Sequence, residues 1–230
     1  MGARRDALGR PVVHRGSRGM SPFADLPQRH FRAIAIDPPW RFSGGVQGRP
    51  QHYRRMSDHE IAALPVVDLA HPDGCFLFLW HTSPKAYRPP GSRTRLAPDE
   101  IGRAWGFRHS GRAFVWVKTE RGDQQPMFVH PEKLFMGTGF TTRKNAEDCL
   151  LFRRGSPQRR ARDVHEVILE SAREHSRKPD TFYRRVERFC AGPYLEIFGR
   201  ESRPGWTVWG NEATKFDPPA PTAPILMAAE

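Results

Sequence analysis

Short apolar runs recur along the chain, separated by polar, glycine-rich or proline-rich stretches. Seven have strand length: 31–36 (FRAIAI), 75–80 (CFLFLW), 112–118 (RAFVWVK), 148–152 (DCLLF), 164–169 (VHEVIL), 194–198 (YLEIF) and 206–209 (WTVW). They are near-continuous in apolar residues rather than cleanly alternating, as expected of strands covered on both faces. Helical patterns fall between them. Residues 57–64 (SDHEIAAL) open on Ser57 with Glu60 three residues on, the spacing at which two side chains satisfy each other's backbone N–H groups. Residues 98–107 have a proline start and a glycine stop. Residues 178–192 place Phe182, Val186, Phe189 and Cys190 on one face and end at Gly192. Strands alternating with helices predict an α/β sheet of Rossmann type.

Three kinds of segment fall outside this pattern. Residues 1–28 are rich in Arg, Gly and Pro without periodicity and read as a disordered basic arm, tightening near SPFADLP. Residues 217–230 (DPPAPTAPILMAAE) read as a disordered tail, leaving a single domain over 29–216. Residues 41–56 and 119–143 are long, polar, glycine-containing and dotted with aromatics. Loops of that length in a compact domain are functional or disordered.

Composition adds a partner class. The formal net charge is +12 and the sequence pI about 10.4, which favours a polyanion such as nucleic acid. Arginine outnumbers lysine 31 to six, a bias that a GC-rich genome also produces, so charge alone does not decide. Cys75, Cys149 and Cys190 are odd in number, widely spaced and without a CxxC pair, and read as core thiols of a reducing compartment. No apolar stretch reaches membrane-spanning length and the start lacks a secretory apolar region, so the expected location is the cytoplasm. The ten histidines show no paired ligand spacing, and no metal is expected.

The candidate chemistry sits in AIAIDPPWRF, residues 33–42. In open α/β sheets, sites lie beyond the carboxyl ends of strands, and Asp37 stands at such an end. Pro38 and Pro39 stiffen the chain and leave bare carbonyls. The Asp37 carboxylate and the Pro38 carbonyl then form two fixed acceptors, with Trp40 as a flat apolar surface beside them. That set suits an exocyclic amino group on a planar ring such as adenine. It equally suits a proline-rich turn that closes a strand, with Asp37 capping a backbone N–H. A second Asp-Pro-Pro at 217–219 has no strand before it and no aromatic after it, and is assigned no role.

The segments AIDPPWRF, HYRRMSDHEI, CFLFLW, AWGF, FVWVKT, NAEDCLLFRRG, REHSRKPDTFYRRVE, LEIFGR and PGWTVWGN occur in this order. Over about residues 31–213 the series closely resembles the MT-A70 family of adenine amino methyltransferases. The resemblance implies a Rossmann-like class I methyltransferase sheet with permuted motif order, the catalytic DPPW strand early and the cofactor strand late. It implies S-adenosylmethionine as cofactor. Asp37, Pro38, Pro39 and Trp40 match the catalytic turn, with Asp37 also reaching the cofactor's methionine amine. Lys178 matches a lysine near the cofactor's carboxylate and the target nucleotide. LEIFGR takes the cofactor-strand role and contributes Phe198, Gly199 and Arg200, although it lacks GxGxxG. Asn211 and Glu212 follow the last strand and suit a ribose diol, Glu212 standing where eukaryotic members tend to carry an amide. Tyr53 matches a loop aromatic near the target base and Glu147 an acidic residue of the substrate pocket. Arg54, Arg55 and Arg143 are candidate phosphate contacts on the two long loops.

The function so implied is methyl transfer to the 6-amino group of adenine in nucleic acid, DNA preferred and RNA possible. A catalytically silent nucleic-acid-binding scaffold of the same fold is one alternative. An amino methyltransferase acting on another planar substrate, a free nucleoside or a protein glutamine, is the other. Residues 80–98 (WHTSPKAYRPPGSRTRLAP) are longer and richer in proline and arginine than expected there, and read as an extra basic contact surface or an insertion without function.

Overall fold

The computed structural model describes residues 21–41, 54–120, 134–137, 142–174 and 176–219. The seven expected strands form: β1 (Ala33–Ile36), β2 (Gly74–His81), β3 (Arg108–Thr119), β4 (Ala146–Gly155), β5 (Val167–Ser171), β6 (Tyr194–Ile197) and β7 (Trp206–Trp209). The expected helices are α1 (Asp58–Ala62), α2 (Pro98–Ala104) and α3 (Asp180–Phe189). All the strands join one mixed sheet in the order β5-β3-β4-β2-β1-β6-β7. β1 runs parallel to β2 on one side and to β6 on the other. β7 extends β6 and β5 extends β3, both parallel. β4 runs antiparallel to β2 and β3. A parallel neighbour needs a crossover, usually helical. The polar stretch after β3 carries no helical pattern, so β4 can return directly.

β1 has helices on both faces and is buried along its whole length. Ile34 and Ile36 point to one side, where Ile61 of α1, Ile101 and Trp105 close a core with Leu77 and Leu79. Ala33 and Ala35 point to the other, where Phe182, Tyr183 and Val186 of α3 pack with Phe76, Phe78, Trp80 and Phe114. Burying each large apolar side chain contributes about 1.5–3 kcal/mol. The three cysteines are free and buried among these groups, where burial raises their thiol pKa.

Several boundaries differ from the sequence expectation for local reasons. α3 begins two residues after Lys178, because Pro179 is its N-cap and is extended, and a residue before proline is driven out of the helical region. α2 ends early at Trp105, followed by Gly106 at φ +77°. β5 begins at Val167 rather than at 164. The carbonyls of His165 and Val167 accept from the Arg185 guanidinium of α3 at 2.5 and 2.7 Å, which covers the outer side of this edge strand.

Residues at both margins of the expected domain are held by the fold. Phe23 and Leu26 are core residues, and Phe23 meets Trp209 edge-on at 4.9 Å. Residues 21–28 therefore belong with the domain, since two apolar side chains in six positions suffice to anchor them. At the other end, Asp217 accepts the backbone N–H of Ser202 at 2.6 Å, so the second Asp-Pro-Pro does have a structural partner.

The proline-rich segment after β2 is also anchored. Lys85 and Asp58 form an ion pair at 2.6 Å with both side chains 2% exposed. Asp58 further accepts the Leu96 N–H at 3.1 Å. Arg88 binds Glu100 at 2.7 Å and Arg95 donates to the Pro84 carbonyl at 2.7 Å. Lys85 and Arg88 fasten the segment to α1 and α2 and Arg95 ties it to itself, and burial withdraws Lys85 from the expected contact surface.

Candidate active site

β1 lies between two connections that leave in opposite directions. The chain passes from β1 to β2 on one side and from β6 to β7 on the other. The carboxyl ends of β1 and β6 thus flank the topological switch point, where open α/β sheets hold ligands. Ile36 is in register with Ile197, so Asp37 and Phe198 leave the sheet side by side. A cleft there is lined by Asp37, Lys178, Glu196, Phe198, Gly199 and Arg200 among others. A larger cleft lined by Gln28, Arg29, Asp68 and Arg154 opens at the amino ends of β1 and β2, away from these groups.

The turn after β1 is held from both sides. The Trp40 N–H donates to the Pro38 carbonyl at 2.8 Å, and the Met56 N–H to the Pro39 carbonyl at 2.9 Å. Trp40 is 4% exposed, its indole N–H donates to the Trp80 carbonyl at 3.2 Å, and the Lys85 ammonium lies 5.6 Å from its ring centroid. The indole therefore packs as core beneath the turn and is not the open plate beside the acceptors that the sequence suggests.

Four charges run in an alternating line through the site. Lys178 Nζ lies 2.7 Å from Asp37 Oδ2 and 3.0 Å from Glu147 Oε2, with its side chain 5% exposed. Lys118 Nζ binds the other oxygen of Glu147 at 2.5 Å. Trp80 and Trp116 face the two ammonium groups at 5.3 and 4.5 Å. Two lysines serve Glu147 but only one serves Asp37, and the pKa values follow. Burial opposes ionisation of Glu147, yet Lys178 and Lys118 outweigh it and hold the carboxyl at about 2. Burial raises Asp37 above its ordinary value, Lys178 opposing and Glu147 adding. Burial also disfavours the Lys178 cation, but Asp37 and Glu147 overcome it and keep the ammonium charged.

The wall opposite Asp37 comes from β6. Phe198 is left-handed at φ +65° and its N–H donates to the Trp209 carbonyl at 2.6 Å. Such a backbone is uncommon for a bulky residue and marks a constrained turn. A Cβ on Gly199 would stand 2.5 Å from Val208 Cγ1 and 2.9 Å from Glu196 Oε2, so a side chain there would have to displace Val208 and Glu196. Glu196 is buried, accepts from the Tyr183 hydroxyl at 2.7 Å, and is raised by burial to about 7.

The family model described as MT-A70 matches residues 31–212. The chain belongs to the MT-A70 family. It is similar to the type II methyltransferase M.MunI of Mycoplasma sp, 26% identical over 83% of this chain and 81% of that protein. It is also similar to the N(6)-adenosine-methyltransferase MT-A70-like protein of Drosophila melanogaster, 30% identical over 79% of this chain and 27% of that one. The N(6)-adenine-specific methyltransferase METTL4 of Homo sapiens is 28% identical over 82% of this chain and 39% of its own length. The chain spans most of the Mycoplasma protein but well under half of the two animal proteins.

The mixed seven-stranded sheet is the Rossmann-like methyltransferase fold of MT-A70 proteins, with the Asp37 strand early and the β6 strand late. Of the residues singled out from the sequence, Asp37, Lys178, Phe198, Gly199 and Arg200 line one cleft. Glu147 joins them through Lys178. Asn211 is exposed beyond the end of β7, and Glu212 reaches Arg200 at 3.4 Å. Arg54 is largely exposed and pairs with Glu60 at 3.1 Å, Arg55 is half-buried and Arg143 is exposed. Tyr53 and most of the two long loops lie outside the described residues.

Sequence reasoning missed Lys118 and Glu196. Glu196 did leave a signal, a lone carboxylate within an apolar strand run, which calls for a partner. Lys118 left none, because a lysine at a strand end is ordinary. Among the described residues no group of His, Cys, Asp and Glu could hold a metal ion, and no helix is long and apolar enough to cross a membrane.

Proposed function

We propose that this MT-A70 protein transfers the methyl group of S-adenosylmethionine to the 6-amino group of adenine in nucleic acid, with DNA as the preferred substrate, in the cytoplasm. The observation that carries the proposal is the Asp37–Lys178 pair at the mouth of the switch-point cleft.

The cleft fits the cofactor by its donor set. Asp37, Glu196 and Glu201 offer acceptors, while Lys178, Arg177 and Arg200 offer positive charge. An amino acid end bearing an ammonium and a carboxylate needs both. Gly199 keeps the floor of that wall free of a side chain. When bound, S-adenosylmethionine supplies a methyl group on a sulfonium that departs as a neutral thioether, so no Lewis acid is needed.

This chain's own groups hold the base and manage the proton. Asp37 Oδ1 and the second lone pair of the Pro38 carbonyl accept from the adenine amino group and orient its nitrogen. Lys178 fixes the Asp37 carboxylate through Oδ2. Burial raises the Asp37 carboxyl while two lysines hold Glu147 low, so of the two carboxylates that share Lys178 it is Asp37 that is suited to take the proton released on methylation. Adenine inside a duplex must be flipped out, at a cost of a few kcal/mol. Arg54, Arg55 and Arg143 are assigned to the phosphates beside it. The 81% coverage of a type II methyltransferase supports DNA as the substrate to test before RNA.

The test is a methylation assay with S-adenosylmethionine on matched DNA and RNA oligonucleotides, single- and double-stranded, read as 6-methyladenine by mass spectrometry. The modified base is expected in DNA. No methylation of any oligonucleotide by protein that binds the cofactor would overturn the proposal and leave the silent scaffold and an amino methyltransferase of another planar substrate as the readings to separate.

A further inference from the structure

The cleft has two walls that come from distant parts of the chain. One is Ser176–Lys178, which presents the ammonium to Asp37; the other is Phe198–Glu201, the turn after β6. A third segment joins them from outside. The Phe216 N–H donates to the Arg200 carbonyl at 3.0 Å. The Ser202 N–H donates to Asp217 Oδ1 at 2.6 Å. The Phe216 ring lies 5.3 Å from the Arg177 guanidinium, and Arg177 in turn binds Glu201, its Nε 3.0 Å from Oε2. Consecutive residues 216 and 217 thus hold both walls, while Glu212 holds Arg200 at 3.4 Å. The MT-A70 match ends at 212, so Phe216 and Asp217 lie beyond the part of this chain that the family pattern covers.

We infer that residues 212–217 form a strap that sets the width of the cofactor cleft, with Asp217 as a positioning residue for the turn after β6. The inference rests on that cleft being the cofactor site. The backbone of 199–202 leaves the sheet at a left-handed residue and has little regular pairing of its own. A carboxylate accepting a backbone N–H is among the stronger hydrogen bonds, and here it closes the turn across fifteen positions of sequence. The strap touches neither the reacting atoms nor the base, so it acts on cofactor affinity and not on the chemical step.

The experiment compares full-length wild type with Asp217→Ala, Asp217→Asn and Phe216→Leu. Cofactor affinity is read by calorimetry, methylation kinetics by initial rates, and opening of the turn by hydrogen exchange at the Ser202 amide. Asp217→Ala is expected to raise the S-adenosylmethionine Kd and KM about tenfold, the scale of removing one charge-assisted hydrogen bond. Its kcat should stay within about twofold and its Ser202 amide should exchange faster. Asp217→Asn, which keeps the accepting oxygen, should recover most of the affinity. Phe216→Leu should weaken cofactor binding without changing Ser202 exchange. Wild-type affinity in folded Asp217→Ala overturns the strap, as does a loss confined to kcat. Failure of wild type itself to bind S-adenosylmethionine overturns the cofactor assignment instead.

Discussion

Lys178 donates to Asp37 at 2.7 Å across 141 positions of sequence. The pair welds the turn after the first strand to the segment that leads into the last helix. Its energetics are those of a buried ion pair, in which the desolvation of each charge is offset only while the other is present. Glu147 has a second lysine and can survive the loss of Lys178; Asp37 cannot.

Asp37→Ala is therefore expected to lower turnover by at least about a hundredfold, the scale seen when one group that holds the reacting atoms is removed. Circular dichroism should show a folded protein. Near-normal turnover would remove Asp37 from the chemistry.

Lys178→Ala should both weaken cofactor binding and destabilise the fold, by about 3 kcal/mol for a broken buried pair. Calorimetry and urea unfolding read the two effects. If the variant keeps wild-type cofactor affinity, the assignment of that wall is wrong.

Trp40 gives a prediction opposite to the one its motif invites. As a core indole 4% exposed, its replacement by Ala should cost about 3–5 kcal/mol. Trp40→Phe should cost far less, keeping most of the packing and losing one hydrogen bond to the Trp80 carbonyl. Chemical denaturation decides. Unchanged stability with lost nucleic-acid affinity would place the indole against the base after all.

Glu196 makes stability depend on pH. Burial raises its carboxyl from 4.5 in the unfolded chain to about 7 in the folded one. The folded state then binds the proton more tightly, so this contribution is full below about pH 4.5 and is lost as pH rises through about 7. Its size is on the order of 3 kcal/mol. Glu196→Gln keeps an oxygen for the Tyr183 hydroxyl and cannot titrate. Urea unfolding from pH 5 to 8 should show wild type losing stability relative to this variant, and parallel curves would refute it.

Neutralising Arg54, Arg55 and Arg143 together should raise the nucleic-acid Kd and flatten its salt dependence, by about 0.9 in log–log slope for each duplex phosphate that is no longer neutralised. Cofactor affinity should stay within a few-fold. Binding isotherms at several salt concentrations measure both. Identical slopes would move the search to other basic surfaces.

The fold was legible because its strands are nearly continuous apolar runs with punctuation between them, and AIAI and CFLFLW admit few other readings. The antiparallel direction of β4 was not, since direction depends on what connects two strands and not on the strand's own residues. Asp37 and Lys178 could be singled out as residues, but their pairing is a property of the sheet order. The local pattern around Asp217 resembles that of a tail, because the group it serves, the Ser202 N–H, belongs to a turn that sequence periodicity does not mark. The burial of Trp40 is hidden from the sequence for the converse reason. Its neighbours in sequence are a turn, whereas its neighbours in space are Trp80 and Lys85.

The central strand also sets an order of events during synthesis. β1 is translated early and can pair with β2 at once, but its other edge waits for Tyr194–Ile197. Until then a nascent chain carries an apolar strand, AIAI, with one row of backbone groups unmatched. Pairings of such long sequence separation close late and slowly, and an open edge invites foreign strands in the interval. A fragment ending before β6 thus lacks both the strand that pairs with the second edge of β1 and the turn at Phe198 that forms one wall of the cleft.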